Sequence, residues 1–590
     1  MHLMVLACDL DGTLAENGQV AAETWARLRQ AKTAGLGLLL VTGRTLQSFA
    51  PDGPYAELYD AIVAEDGAVV YFPRRDIVVL PFGHLDPALL QRFAALNIPL
   101  ERGMAIVATH VPHDAAILDV LRELGGGATV EYNRGAVMVL PPGATKGTGL
   151  QFALRELGYS LRIVDDSGAA ENDRSLFEGA ELAVAVANAA PAVQALADVV
   201  LGAPNGAGVR ALIADLLAGH IPIRHPRPER QLILGHGLDG ASITLDPFAL
   251  LTGNLGIVGD SGSGKSWLAG LLAEEMLKQG YQICVIDPEG DYRNLRAFPH
   301  TMLVGGQGML LPPIADALSL SEYAGMSLVF DLSLCAVAER NAYVLKLLRE
   351  MWCLRAGRGR PHWVLLDESQ SFCPPVGGEF TDVLLKAMHG GGFAVVTYRP
   401  SQVAPMLLEA LDHWLVTRLS PAEEIATVAP FLSGPSAAQS ALARLPLLPL
   451  GQAYLSFRTA AQPAPATHST VVFRTGPRTV PHIRHLHKYL RATLPQSQRF
   501  YFCDTAGRGL GTPAASLWEF RALLGTLPID SLRYHLQRGD FERWIRDVLR
   551  DNELARRLNR LAHRDLPDTE LRQALVTVVG DRYNELDSLV

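Results

Sequence analysis

The chain has 590 residues, a formal net charge of −9, and is 48% hydrophobic and 19% charged. At roughly 100–200 residues per domain it is too long for one core and predicts three or four, and the negative balance excludes a molecule built as a whole to coat nucleic acid. Its six cysteines show no C-x-x-C pair and no metal-ligand spacing, which fits reduced thiols in a cytoplasmic protein and excludes a disulfide framework.

Residues 1–80 alternate apolar runs with helical patterns, in LMVLACDLDGT, TWARLRQAKTAG and LGLLLVTGR. Strand, helix and strand at that spacing predict a parallel sheet. The opening MHLMVLACDLDGTL lacks the basic start of a signal peptide and leads directly into acids. Residues 81–140 repeat the alternation on a smaller scale, in PALLQRFAAL, MAIVAT, AAILDVLRELG and AVMVL. The sheet pattern resumes after Lys146 and runs to about Leu217, so 1–80 and 141–217 are expected to form one core with 81–140 inserted. The longest apolar stretch, LAVAVANAAPAVQALADVV, is broken by Asn188, Pro191, Gln194 and Asp198 and reads as strand, turn and helix, with no membrane span. HIPIRHPRPERQ marks a linker at 218–231, a second α/β pattern fills 232–460, and TAAQPAPATHS marks a second linker at 461–474. From 475 to 590 the chain is expected to be mainly helical, with apolar helical spacing in SLWEFRALLGTL, DFERWIRDVLRD and ELARRLNRLAH.

Chemistry-bearing residues cluster first in CDLDGTL. Asp9 and Asp11 lie just past a strand, and two residues apart on an extended chain their side chains point the same way. Paired carboxylates there could bind Mg²⁺ and attack a phosphoryl group. Thr42, in VTGR, follows the next strand; Lys146, in GATKG, precedes a helix; Asp173, in END, lies near a later strand end. In that order and spacing the set resembles the haloacid dehalogenase superfamily of Mg²⁺-dependent phosphatases. The insert at 81–140 resembles the α/β cap of its sugar-phosphate phosphatase branch. The resemblance covers about residues 1–215. It implies a Rossmann-like core in which Asp9 is the nucleophile, Asp11 the general acid and base, and Thr42 and Lys146 the holders of the phosphoryl oxygens. It implies Mg²⁺ held by Asp9, the backbone carbonyl of Asp11 and the acids of a fourth motif, Asp173 among them. That motif reads Gly-Asp-x-x-Asn-Asp in the branch. Counting back from Asn172 and Asp173 puts Gly168 at the glycine and Ala169 at the first acid. A methyl cannot ligate a hard cation. Either Asp165 or Asp166, just upstream, substitutes along another loop path, or the domain binds phosphorylated ligands with little turnover.

The second cluster is GDSGSGKS, residues 259–266, which matches G-x-x-x-x-G-K-[ST] between the apolar LGIV and the helical WLAGLLAEEMLKQG. In a P-loop of this kind Gly259, Gly262, Ser263 and Gly264 would cradle the phosphates of ATP with backbone N–H groups at a helix N-terminus. Lys265 would reach the β and γ oxygens, and Ser266 would bind Mg²⁺. In HWVLLDESQSF an apolar strand ends in two acids: Asp367 would hold Mg²⁺ through water, and Glu368 would activate the attacking water. The set resembles the additional-strand ATPases of the HerA/FtsK type over about 232–460, a group that includes DNA-pumping motors. Such ATPases carry a γ-phosphate-sensing Gln where this chain has Tyr398, before Arg399 and Pro400. A phenol cannot orient water as an amide does, so hydrolysis is expected to be slow. Arg399 or Arg418 could complete a neighbour's site in a homo-oligomer, or form a surface salt bridge.

From Ile425 to Cys503 there is no Asp or Glu, while Arg444, Arg458, Arg474, Arg478, Arg484, Lys488, Arg491 and Arg499 all fall there. With the aromatic FYF, that stretch could contact nucleic acid or be the basic face of a small packed domain. The whole reads as a cytoplasmic hydrolase with ATP and Mg²⁺ as cofactors and a small phosphorylated substrate. A DNA-translocating motor and a regulatory phosphate sensor are the competing readings.

Overall fold

The run VLACD has no polar alternation, the pattern of a strand covered on both faces. It forms β1 (Val5–Asp9), buried throughout, in a computed structural model that describes residues 4–48, 53–125, 127–133, 135–220, 227–306, 309–323, 325–432, 443–459, 467–480, 490, 494, 498–549 and 551–588. The chain divides into two compact units: Met1–Pro288, Leu295–Gly305 and Leu310–Val480 form one, and Glu289–Asn294, Gly306–Met309 and Pro481–Val590 the other.

The first unit begins with β1, β2 (Gly37–Val41), β3 (Ala61–Ala64), β4 (Val69–Phe72) and β5 (Ile77–Val79). After an insertion carrying β6 (Glu101–Arg102), β7 (Val107–His110), β8 (Thr129–Asn133) and β9 (Ala136–Leu140), it returns with β10 (Val164–Gly168), β11 (Leu182–Ala185) and β12 (Val199–Val200). The eight core strands lie in the order β12-β11-β10-β1-β2-β3-β4-β5. They are parallel from β12 to β3 and antiparallel at β4 and β5, so β1 sits centrally with Asp9 at the C-terminal edge. The inserted strands form their own antiparallel sheet, β6-β7-β9-β8, with a separate core of Leu89, Phe93, Ile117 and Val120 under helices Pro87–Ala94 and Asp114–Leu124. Glu65 fixes this cap to the core. Its buried carboxylate accepts the backbone N–H groups of Met104 (2.9 Å), Ala105 (2.8 Å) and Ile106 (3.3 Å).

The second α/β domain is built on β13 (Leu232–Gly237), β14 (Ser242–Leu245), β15 (Asn254–Val258), β16 (Ile283–Asp287), β17 (Thr301–Gly305), β18 (Ser327–Asp331), β19 (Trp363–Leu366), β20 (Phe393–Thr397), β21 (His413–Val416), β22 (Gln452–Thr459) and β23 (Thr467–Thr475). The order is β14-β13-β23-β22-β21-β15-β20-β19-β16-β18-β17. Here β20 follows β19 in the chain yet is inserted between β15 and β19, parallel to both. One expectation is corrected. Residues 467–474, read as part of a linker at 461–474, belong to β23, paired antiparallel with β22 and, at its end, with β13. Residues 460–466, the Pro- and Ala-rich part of that linker, lie outside the described residues, as do 221–226 of the first linker.

The two α/β domains share a packed junction. The Tyr281 hydroxyl donates to the Glu181 carboxylate at 3.0 Å, Arg162 donates to the Gln279 carbonyl at 2.6 Å, and Phe248 of the second domain packs into the first core. Arg227, expected in the linker, is bidentate to Asp198 at 2.9 and 2.8 Å.

The second unit is mainly helical. Helices Leu517–Leu524, Ile529–Gln537, Asp540–Asp547, Asn552–Ala562 and Asp568–Ser588 surround a two-stranded sheet of Phe500–Cys503 and Gly509–Ala514. Phe500 and Phe502, alternate residues of that strand, point into a core with Phe520, Phe541 and Trp544, and Tyr501 faces out. The FYF pattern is thus largely core packing.

Candidate functional site

Two candidate sites occupy the C-terminal edges of the two parallel sheets, where strands end and loops begin. In the first, Lys146 is the organising residue. A capping box between Thr145 and Thr148 starts the helix Lys146–Leu157, which aims the lysine from its first turn at the end of β1. Its Nζ donates to Asp9 Oδ1 at 2.9 Å and to Asp173 Oδ1 at 2.7 Å, all three side chains being buried. Burial acts to lower the Lys146 pKa, but Asp173 and Asp9 outweigh it and hold it above the ordinary value. Burial first, and then Asp173, raises the Asp9 carboxyl, with Lys146 opposing. Asp9 Oδ2 accepts from the Thr13 hydroxyl at 3.2 Å. Asp173 Oδ2 accepts the backbone N–H groups of Ala169 and Ala170, both at 2.8 Å. Gly168 must lack a side chain, because a Cβ there would lie 2.7 Å from that of Asp173. Thr42 is buried beside the site, its hydroxyl accepting from the Arg44 N–H at 3.2 Å.

Asp11 is placed differently from the others. Arg44 holds it in a bidentate pair, Nε to Oδ2 at 2.7 Å and Nη2 to Oδ1 at 2.6 Å. A second carboxyl also faces this region: Asp66, buried with a left-handed φ of 48°, accepts from the Asn172 side chain at 2.8 Å. Burial raises its pKa, Lys146 and Asn172 opposing.

The second site lies at the end of β15. The loop turns through left-handed Gly262 (φ 74°) and Gly264 (φ 106°) into helix Lys265–Lys278. The Lys265 Nζ donates to the Asp260 carbonyl at 3.0 Å and lies 5.8 Å from the centre of the Tyr398 ring. Ser263 shares a 2.6 Å hydrogen bond with Thr417, past β21. Past β19, Asp367 is buried and accepts the Glu368 N–H at 2.8 Å. Glu368 is left-handed (φ 51°), and its carboxylate accepts from the Gln370 amide. The Gln370 carbonyl in turn accepts from Thr397, at the end of β20, at 2.7 Å. A helix N-terminus, a lysine and a fixed carboxylate at one sheet edge can together bind a polyphosphate and activate water.

Residues 6–81 and 108–213 match the haloacid dehalogenase-like hydrolases, and residues 233–349 match the central domain of the helicase HerA. The chain is a hydrolase that joins a haloacid dehalogenase-like domain to a HerA-type domain. The first domain is similar to phosphoglycolate phosphatase 2 of Saccharolobus solfataricus, 29% identical over 220 residues, 37% of this chain and 94% of the relative. It is similar to the phosphoglycolate phosphatase of Methanothermobacter thermautotrophicus, 29% identical over 220 residues, 35% of this chain and 96% of the relative. A haloacid dehalogenase-like hydrolase from Bacteroides thetaiotaomicron superposes with a TM-score of 0.32 at 17% identity, over 36% of this chain and 98% of that one.

The residues of the haloacid dehalogenase-like site do not fit a tightly held divalent ion. Both Asp9 oxygens and both Asp173 oxygens are hydrogen-bonded within the protein. A buried methyl stands at Ala169. Among the described residues no group of three His, Cys, Asp or Glu could hold a metal. Nor does Asp165 replace the missing acid. It pairs with Leu6, three residues short of Asp9, about 10 Å down the strand. The Asp166 backbone pairs with Ala7, about 7 Å short; its side chain is outside the described residues. In the HerA-type domain the Ser266 hydroxyl and Asp367 carboxylate are hard oxygen donors of the kind Mg²⁺ takes.

Asp165 has its own signature. Both its oxygens are buried without a hydrogen-bond partner, and burial, then Asp198, raises its carboxyl well above the ordinary value. The folded state keeps this proton over a range where the unfolded chain has lost it. Stability is therefore full below the unfolded pKa and falls as pH rises, by about 1.4 kcal/mol per unit, up to the folded pKa. Asp165→Asn is expected to stabilise the protein in urea unfolding at pH 7 and to do so less at pH 5.

The Arg44 clamp, the Asp66–Asn172 pair and the Gln370 tether join distant segments and gave no motif. Only Gln370, two residues beyond Glu368, had a local signal. In the basic stretch 425–503, Arg478 is buried against Glu274 at 2.6 Å and Arg458 pairs with Asp412 at 3.2 Å. Arg484, Lys488 and Arg491 lie outside the described residues. No helix among the described residues is long and apolar enough to cross a membrane.

Proposed function

We propose that the HerA-type domain binds and hydrolyses ATP, and that the haloacid dehalogenase-like domain binds a small phosphorylated metabolite and turns it over slowly. The observation that carries this reading is the strand order β21-β15-β20-β19-β16. It brings the P-loop after β15 and the Asp367–Glu368 pair after β19 to one edge, with β20 between them to supply Thr397 and Tyr398. Lys265 neutralises the β and γ phosphates in this reading, and Glu368 takes the proton of the attacking water. Ser266 and Asp367 would hold the Mg²⁺ that accompanies ATP, and that ion supplies neutralisation of charge on the phosphate oxygens. Tyr398, beside Lys265, puts a phenol where an amide would orient the water, which keeps the rate low. The test is nucleotide affinity by calorimetry: Lys265→Ala should lose ATP binding, and retained binding in that variant would reject the site.

For the first domain, Asp9 would attack phosphorus, Lys146 and Thr42 would neutralise and hold the phosphoryl oxygens, and Asp11 would exchange the leaving-group proton once released from Arg44. The relatives' names point to a small phosphomonoester.

The HerA-type domain is also proposed to work as a homo-oligomer. Arg399 and Arg418 are exposed at the nucleotide edge, within reach of a neighbouring copy. ATPase activity per subunit should rise with protein concentration. Full activity in a strict monomer, established by light scattering, would contradict this.

A further inference from the structure

A cavity of about 200 Å³ opens where the two α/β domains meet, lined by Arg74, Arg75 and Arg358 with Asp60, Tyr159 and Phe72. It is remote from both sites described above. Asp60 precedes β3 and Tyr159 precedes β10, so the cavity sits at the N-terminal edge of the sheet whose other edge carries Asp9. Arg358 is the last residue of helix Val337–Arg358 of the HerA-type domain, so each domain contributes a wall.

Positive charge is in excess here. Asp60 is the one acid lining the cavity, and Lys32 already neutralises it at 2.5 Å. Arg74 reaches it only at 3.4 Å. Arg75 rests over the Phe72 ring at 5.7 Å. Arg358 makes a 3.3 Å bond to the Leu157 carbonyl. Behind the cavity wall, Arg360 is buried on the Gly158 and Glu322 carbonyls, with its Nε and Nη1 left without hydrogen-bond partners. The Tyr159 hydroxyl adds a donor, and it feels Asp60, Arg358 and Arg74 together. Arg74, Arg75 and Arg358 are all exposed, so their guanidinium groups can close on an anion from solvent, and an anion shared among them offsets their mutual repulsion. Guanidinium forks match phosphate oxygens bidentately. The volume falls below the roughly 300 Å³ at which pockets for drug-sized ligands begin, which favours a compact anion over a nucleotide.

We propose that this cavity binds a compact polyanion with the chemistry of a diphosphate, gripped by Arg74 and Arg75 from one domain and Arg358 from the other. Its occupant would then fasten the two domains together.

Inorganic pyrophosphate is the probe, titrated by calorimetry into the full-length Lys265→Ala protein, in which the P-loop is silenced. Arg74→Ala and Arg358→Ala, each added to that protein, should weaken one binding event by about 10–100-fold, the worth of a charge-assisted hydrogen bond, and leave any binding at Asp9 unchanged. Arg75→Ala, whose side chain rests on Phe72, is the variant that keeps the test valid if either of the others fails to fold by circular dichroism. A pyrophosphate isotherm the same in stoichiometry and affinity in the folded arginine variants and their parent overturns the proposal, as does an absence of pyrophosphate binding in the parent.

Discussion

Glu368→Gln is expected to leave ATP binding intact and to lower turnover by about 10²–10⁴-fold, the usual contribution of a positioned general base. The geometry makes the substitution clean. Glu368 sits in a left-handed turn directly after Asp367, and its carboxylate is held by Gln370, which is held by Thr397. An amide has the same shape and fills the same place, but it cannot take a proton from water. Lys265 and Ser263 each bond the Asp260 carbonyl, and Ser263 also bonds Thr417, so the loop is held by partners of its own. Calorimetry for affinity and single-turnover phosphate release for rate separate the two effects. Wild-type hydrolysis by Glu368→Gln would assign the base elsewhere.

Ala169→Asp is expected to raise phosphomonoester hydrolysis by about 10²–10³-fold, the typical worth of one electrostatic stabiliser of the transition state. The backbone is already in place for it: the Ala169 N–H donates to Asp173 at 2.8 Å, and Asp173 is locked to Lys146 beside Asp9. What is missing is one carboxylate. The natural protein should need high Mg²⁺ for its residual activity, and Ala169→Asp should lower that need. Asp9→Asn should remove activity from both, because an amide does not attack phosphorus. An unchanged rate and an unchanged Mg²⁺ requirement in Ala169→Asp, read with p-nitrophenyl phosphate, would mean that position 169 is not the missing ligand, and no hydrolysis by either protein would mean that the domain binds phosphate without catalysing its transfer.

The parts of the fold most legible in the sequence are those where one feature serves both folding and chemistry. The uniform apolar runs before Asp9, Thr42, Gly259 and Asp367 mark buried parallel strands, and the residue after each run falls at the sheet edge where ligands bind. Lys146 was legible because GATKG precedes a helical run and falls in order after the Asp9 and Thr42 motifs. The strand Thr467–Thr475 was not. Its Pro- and Ala-rich approach reads as linker, and only pairing with β22 and β13 shows it as sheet. The depth of Asp165 was also hidden. An acid next to a metal motif looks like a spare ligand until the register with Leu6 places it far down the strand. Arg44 on Asp11 and Thr397 on Gln370 are tertiary contacts, and no spacing rule reaches them.

The central claim is that one chain carries two separate phosphate-handling sites, a P-loop that hydrolyses ATP and an Asp9 site that works slowly on a phosphomonoester. The most direct test is phosphate release from ATP and from p-nitrophenyl phosphate by the natural protein, Lys265→Ala and Asp9→Asn. The account predicts that Lys265→Ala loses ATP hydrolysis and keeps monoester hydrolysis, and that Asp9→Asn does the reverse. ATP hydrolysis that survives Lys265→Ala and disappears in Asp9→Asn would contradict it.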